Sequence, residues 1–124
     1  MGIKPILWVA SSKRDLGDLE EGAKDEIGFA LLQAQIGEKS PKAKPFSGCG
    51  SATLLEIVEY NKGGTYRAVY TVRFTEAVIV LHVFQKKSTR GIKTSQQDVE
   101  LIKSRFKLAE KEYEAWLLHR KTNL

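Results

Sequence analysis

The spacing of apolar residues in the first third of the chain predicts a strand followed by helices. Residues Lys4–Ala10 form a short run with aromatic and β-branched members, which is typical of a strand. Ser11 or Ser12 would cap a short helix after it. From about Leu19 to Ile36 apolar side chains recur at helical spacing, and Gly37 is a typical helix end. The apolar positions of this helix are Ala23, Ile27, Ala30, Leu31 and Ala34.

The middle of the chain has the period of β-strands. A loop over Glu38–Gly50 is followed by three runs rich in Val, Ile, Tyr and Phe. Short turns separate the runs, so they predict an antiparallel meander. Polar and apolar residues alternate in the second run, which places Arg67 and Arg73 on one, more polar, face of the sheet. The three runs are Leu54–Tyr60, Tyr66–Phe74 and Val78–Phe84.

The helical period returns after the meander. From about Ser95 to His119 one apolar stripe is flanked by charged residues. Thr94 precedes Gln97 by three residues, the spacing of a capping box at a helix start. The order of elements predicts a single α+β domain over residues 1–124: an N-terminal strand, a helix or helix pair, a three-stranded antiparallel meander and a C-terminal helix. The stripe consists of Val99, Ile102, Phe106, Ala109, Tyr113 and Trp116.

The charge of the chain favours a polyanionic partner. Twenty Lys and Arg residues exceed fifteen Asp and Glu residues, which gives a net charge of +5 and an isoelectric point near 9.4. The segment from Gln85 to Lys93 carries four cations and no acid, so we expect it to bind an anion. These cations are Lys86, Lys87, Arg90 and Lys93.

The composition also argues against several classes of protein. No apolar run approaches the ~20 residues that cross a bilayer, and the chain starts without the pattern of a secretory signal, so we expect a cytoplasmic protein without membrane contact. Cys49 is the only cysteine, and its two glycine neighbours indicate a tight loop rather than a nucleophile. His82 and His119 are far apart, so we expect neither a metal nor a cofactor.

The predicted meander brings together residues that suit RNA cleavage. If the third run alternates as a strand, His82 and Lys86 share a face, and pairing with the second run would bring them close to Arg67. Attack of a 2′-hydroxyl on the adjacent phosphate needs a base, an acid and fixed cations, and these side chains can provide them without a metal. The same alternation places on this face Val78, Val80 and Phe84.

A structural explanation of the same residues is also open. Arg67 or Arg73 would then pair with Glu56 or Glu59 across the sheet, and His82 would be a partly buried strand residue with satisfied hydrogen bonds.

Two stretches of the meander carry recognisable motifs. Residues Gly64–Val72 contain Tyr-Arg-x-x-Tyr, and residues Val80–Ser88 contain His-x-Phe-x-Lys-Lys. With the strand at Leu55–Ile57 and the approach to it over Ala43–Gly48, they resemble the RelE/ParE superfamily of toxins, in particular its HigB-like, phage-associated branch. The resemblance covers nearly the whole chain from Ile6 onward, and it implies a RelE-like fold.

The resemblance implies a toxin that enters the ribosomal A site and cuts messenger RNA, held inactive by a co-encoded helix-turn-helix antitoxin. Arg67 stands at the position of a phosphate-binding arginine, and Lys86 stands near a second catalytic cation. HigB-like enzymes use histidine, so His82 is the expected base or acid, with a pKa suited to neutral pH. The expected substrate-binding residues are Arg73, Lys87, Arg90 and Lys93.

The chain departs from RelE at one strand, where Glu56 and Val58 replace lysines. The general base is therefore open between His82, Glu56 and Lys87. Two other functions also stay open: a ParE-type toxin that inhibits DNA gyrase by binding, and a phage remnant that only binds an antitoxin or a nucleic acid. Substitution of Arg67 or Lys86 by alanine would leave the toxicity of a ParE-type protein intact.

Overall fold

A computed structural model of the chain describes residues 2–61, 63–86 and 94–122. The order of its elements is the predicted α+β order, with a helix pair after the first strand and one additional strand before the meander. The strands are β1 (Ile6–Trp8), β2 (Ala43–Pro45), β3 (Leu54–Asn61), β4 (Gly64–Thr71) and β5 (Val78–Lys86). The helices are α1 (Ser12–Gly17), α2 (Glu21–Gln35) and α3 (Gln96–Thr122).

The five strands form one sheet in the order β1-β5-β4-β3-β2. Strands β3, β4 and β5 are antiparallel neighbours, so the predicted meander is confirmed. Strand β1 pairs in parallel with β5 at one edge, and β2 pairs antiparallel with β3 at the other. The prediction of a continuous loop over Glu38–Gly50 is wrong at β2, because three residues ending in Pro45 are too short to show a period and proline is tolerated on an edge strand.

Strand β4 ends at Thr71, three residues before the predicted end at Phe74. The backbone N–H of Arg73 donates to the side-chain Oγ1 of Thr71, at 3.1 Å, instead of to a neighbouring strand. A hydroxyl that bonds the backbone two residues further on favours a turn, and the alternation of side chains in this segment does not reveal it.

Helices cover both faces of the sheet. Helices α1 and α2 pack on one face around Ile27, Ile57 and Tyr70, and α3 packs on the other around Val69 and Ile102. All eight residues of β4 are buried. The more polar sheet face expected from the alternation is therefore the α3 face, and it is an interior surface.

Glycine and serine residues stand at helix ends. Gly37, at φ 87°, follows α2, and its N–H donates to Ala34 O while the N–H of Glu38 donates to Gln33 O. These two bonds form the Schellman motif that a glycine in the left-handed region permits, so the predicted end of this helix is confirmed. Ser11 stands at the N-cap position of α1, but its hydroxyl donates to the Asp15 carboxylate and makes no capping bond to the backbone. Ser12 is buried and donates to Val80 O, so neither serine side chain caps the helix as predicted.

Helix α3 is capped one residue later than predicted. The N–H of Asp98 donates to Ser95 Oγ at 3.1 Å, and Ser95 Oγ donates to the Asp98 carboxylate at 2.7 Å. The capping box predicted from Thr94 and Gln97 is wrong. The serine and acid one position later, Ser95 and Asp98, bond to each other instead. In the described parts of the chain no helix is long and apolar enough to cross a membrane.

The packing of α3 can be tested with two neighbouring residues. Ile102 is fully buried against the sheet, whereas Leu101 is 36% exposed. We expect Ile102→Ala to lower the free energy of unfolding by about 2–5 kcal/mol and Leu101→Ala to lower it by less than about 1 kcal/mol. Urea denaturation followed by circular dichroism measures both. Equal losses would mean that α3 does not present this face to the sheet.

Candidate functional site

A buried ion pair lies at the centre of the α3 face. Arg67 on β4 is 2% exposed, and its Nη1 lies 3.0 Å from Glu56 Oε2 on β3. Glu56 is opposite Val69 in the strand register and Arg67 is opposite Val58, so the two charges are diagonal neighbours across the sheet. This confirms the pairing of Arg67 with Glu56 that the sequence left as an alternative.

Glu56 also faces an open groove beside β2. The groove has a volume of about 400 Å³, and Lys44 Nζ on its wall lies 3.8 Å from Glu56 Oε1. The Lys44 side chain is about half exposed. One carboxylate oxygen is thus directed at an interior arginine and the other at a cation in contact with solvent. The groove is lined by Lys44, Pro45, Phe46, Ser47, Gly48, Glu56, Thr94 and Val99.

His82 lies on the same sheet face, but both of its ring nitrogens are occupied. Its Nε2 is 2.8 Å from Asp98 Oδ1 on α3, and its Nδ1 is 3.4 Å from Arg105 Nη1. Because arginine can only donate, Nδ1 accepts, and Nε2 carries the proton that is donated to Asp98. The ring stacks on Phe84 with centroids 4.5 Å apart and is nearly buried. His82 is not one of the residues that line the groove.

A β-bulge sets the direction of the His82 side chain. Val69 pairs with His82, but the next residue, Tyr70, pairs with Val80, so Leu81 is an extra residue in β5. Val78 and Val80 consequently belong to the α2 face, while His82 and Phe84 belong to the α3 face. The prediction that they share a face is wrong, because one inserted residue reverses the alternation.

Arg105 joins three elements around His82. Its Nη1 donates to Leu81 O at 2.9 Å, and its Nη2 donates to Ser11 Oγ at 3.4 Å at the start of α1. Burial lowers the pKa of His82, as does the Arg105 charge, and nearby Asp98 only partly offsets this. The imidazole is therefore neutral at pH 7 and serves as a hydrogen-bonded link between β5 and α3.

The Asp98 carboxylate is held in its ionised form. Burial raises its pKa, but the hydrogen bonds from His82 and Ser95 outweigh burial, and the pKa is lowered overall. The charge of Lys86 lowers it further. Lys86 therefore lies near Asp98, at the end of β5, where it pairs with Thr65 and is partly exposed.

Arg73 does not lie at the groove. Arg73 lies 3.6 Å from Glu110 on α3, and its guanidinium lies over the rings of Phe74 and Phe106. It shares the α3 side of the sheet with Arg67, as predicted, but it is not among the groove-lining residues. Three other predicted substrate-binding residues lie outside the described residues: Lys87, Arg90 and Lys93.

Sequence reasoning missed three residues of this region: Lys44, Asp98 and Arg105. Lys44 stands in a segment predicted as a loop, so nothing placed it beside β3. Asp98 and Arg105 are seven residues apart on the last helix, a spacing that puts both side chains on one face. That spacing is a usable signal, but without the position of α3 it does not identify His82 as their common neighbour.

The state of His82 predicts how stability depends on pH. Its pKa is lower in the folded protein than the ordinary value of 6.5, so the unfolded chain binds more protons and acidification favours unfolding. We expect the wild type to lose stability as pH falls from about 7.5 to 5.5, and His82→Gln to lose less over the same window. Urea titrations at several pH values give the two slopes. Parallel curves would show that His82 is not held neutral.

The chain is similar to a known protein family and to solved structures. The family model described as phage derived protein Gp49-like (DUF891) matches residues 14–107. No match is found among curated protein sequences. The free Escherichia coli toxin RelE, with two arginines replaced by alanine, is 15% identical with a TM-score of 0.46, covering 68% of this chain and 84% of that one. A second structure, the Mycobacterium tuberculosis toxin–antitoxin complex RelBE2, is 19% identical with a TM-score of 0.45, covering 68% and 100%. Since the family match spans most of the sequence, the chain belongs to the Gp49-like family of phage-derived proteins.

Proposed function

We propose that this chain is the toxin of a toxin–antitoxin pair and cuts messenger RNA, on the ribosome, at the groove beside β2. Its membership of a phage-derived family and its net charge of +5 support an RNA-directed role. The single observation that carries the assignment is the position of Glu56, a carboxylate between buried Arg67 and exposed Lys44 on the wall of an open groove. A co-encoded helix-turn-helix antitoxin is the expected inhibitor.

Glu56 is the proposed general base. In this mechanism it accepts the proton of a ribose 2′-hydroxyl, whose oxygen then attacks the adjacent phosphorus. The bond from phosphorus to the 5′-oxygen breaks, which leaves a 2′,3′-cyclic phosphate and a 5′-hydroxyl that takes a proton from water in the groove. Arg67 holds the carboxylate in position from inside the sheet, because its guanidinium faces Glu56 at 3.0 Å.

The partly exposed lysines supply positive charge. Lys44 lies on the groove wall, and Lys86 lies at the end of β5 near the first turn of α3. A fixed ammonium near the phosphate stabilises the negative charge that grows during attack. Since both nitrogens of His82 are hydrogen-bonded, we assign this residue to positioning α3, whose Val99 also lines the groove, and not to proton transfer.

The proposal is tested by inducing the chain in a bacterial host and mapping new RNA ends. We expect growth arrest and new 5′-hydroxyl ends inside translated codons. Glu56→Gln should reduce cleavage by roughly 10²–10⁴-fold. Because Glu56→Gln also removes the carboxylate that faces buried Arg67, Lys44→Ala is the better-tolerated companion, with an expected loss of about 10²-fold. Lys107→Ala, an exposed change on α3 away from the groove, is the matched control.

The outcome also separates the competing functions. Growth arrest that persists in Lys44→Ala and Glu56→Gln, without new RNA ends, would indicate a toxin that acts by binding, as ParE-type proteins do. No arrest and no cleavage by the well-expressed wild type would contradict the proposal and favour a binding module.

A second prediction concerns metal ions. Among the described residues no three His, Cys, Asp or Glu side chains come close enough to hold a metal, and the proposed chemistry uses Glu56, Arg67, Lys44 and Lys86. Because ribosomes themselves require magnesium, the test uses the residual ribosome-independent cleavage of a short RNA at high concentration of the chain. We expect its rate in EDTA to stay within about twofold of the rate in magnesium. A rate that collapses in EDTA and returns with added divalent ion would refute this mechanism.

A further inference from the structure

Helix α2 is apolar on two opposite faces. One face carries the buried residues that pack against the sheet. On the opposite face Phe29 is 60% exposed, Leu32 39% and Ile36 49%. Their spacing of three and four residues puts them on one line along the helix. A surface helix normally carries polar residues on its outer side, so an apolar outer face indicates a binding surface.

The outer face of α2 has a projecting ring at one position and a depression at another. Phe29 projects near the middle of the helix. About 10 Å further along the axis, next to Ile36, lies a depression of about 470 Å³. Ile3, which is 61% exposed, contributes apolar surface to its wall. The depression is lined by Gly2, Ile3, Lys4, Gln35, Ile36 and Gly37.

These two features are complementary to each other on two copies of the chain. If two α2 helices pack antiparallel with Phe29 of each opposite Ile36 of the other, each phenylalanine ring meets the depression of its partner. Leu32 then lies next to the twofold axis. A twofold interface uses the same patch on both copies, so a ring and its matching depression must both lie on one surface, as they do here.

The charges at the two ends of α2 fit the same arrangement. Asp25 lies one turn before Phe29, at the end of α2 that meets the opposite end of the other copy's helix, which the exposed Lys39 follows. Lys4, which lines the depression, adds a second cation at that end, and Glu38 is an acid beside Lys39 in the sequence. Antiparallel packing also sets the helix dipoles in opposite directions, which is favourable. The pairing therefore combines an apolar centre with opposite charges at its ends.

We propose that the outer face of α2, formed by Phe29, Leu32, Ile36 and Ile3, binds a second copy of this chain in an antiparallel, twofold-symmetric pair. Four apolar side chains from each copy make a small interface compared with stable dimers, which bury roughly 1,200–2,000 Å². The pair is accordingly weak and dissociates on dilution.

Sedimentation velocity of the purified chain over a dilution series tests the proposal. We expect a reversible monomer–dimer equilibrium, and a dissociation constant raised roughly 30-fold or more in Phe29→Asp, the size of effect of an interface hot spot. The matched control is Leu118→Asp on α3, where Leu118 is 65% exposed, and it should leave the equilibrium unchanged. Because Phe29 lies on the surface, the thermal unfolding midpoint of the Phe29→Asp variant should stay close to that of the wild type.

A charge exchange tests the register. Asp25→Lys and Lys39→Glu should each weaken the pair, since each variant alone places like charges together at both ends. An equimolar mixture of the two should associate more tightly than either one, because opposite charges are restored at both contacts. Three outcomes would overturn the proposal: a monomer at every concentration, a dimer that Phe29→Asp does not weaken, or a mixture that associates no more tightly than its components. A monomer at every concentration would assign the face to a different protein.

Discussion

The ion pair of Arg67 and Glu56 forms inside a sheet that helices cover on both faces. Removing a guanidinium and a carboxylate from water is costly, so the pair is tolerable only with close geometry, and breaking such a pair typically costs about 3–5 kcal/mol. The need for close contact between Arg67 and Glu56 fixes the register of β3 and β4 where Glu56 lines the groove. Lys44 on the edge strand β2 then completes a line of charges that runs from the interior to solvent. The local chemistry of the groove thus follows from how an interior charge is satisfied.

The β-bulge at Leu81 decides which helix the His82 side chain contacts. In a regular strand without the bulge, His82 would point towards α2 and the apolar core around Val80. With it, His82 meets Asp98 at the start of α3, and Arg105 closes the link to α1. The first turn of α3, which includes the groove residue Val99, is therefore positioned by a hydrogen-bonded network as well as by apolar packing.

Much of the fold can be predicted from the sequence, because in long helices and strands the spacing of apolar residues repeats several times. The three meander strands, α2 with its end at Gly37, and the buried stripe of α3 that includes Ile102 are confirmed. Features that depend on a single residue cannot be predicted in this way. The three-residue strand β2, the extra Leu81, the turn at Thr71 and the choice of Ser95 as the cap each depend on one local contact that a period cannot reveal.

The site was less predictable than the fold for a related reason. The motifs identify Arg67, His82 and Lys86 as polar residues of one region, and the pairing of Arg67 with Glu56 was one of two open alternatives. Which of them contacts solvent depends on where α3 lies. Lys44 and Arg105 belong to the region only through contacts between elements distant in sequence, such as the bond between Arg105 and Ser11. The catalytic roles expected for Arg67 and Lys86 stay predictions, whereas for His82 the hydrogen bonds at both ring nitrogens favour the proposed positioning role.

The order of the elements along the chain has a consequence for biosynthesis. All residues of the sheet precede residue 87, whereas the helix that covers its second face begins only at Gln96. Until α3 has left the exit tunnel, Val69 and Ile79 face solvent, and neither Thr94 nor Val99 is present to complete the groove. A nascent chain therefore has the sheet before it has the site. If the protein acts on ribosomes, this delay separates its own translation from the moment at which it becomes competent to attack.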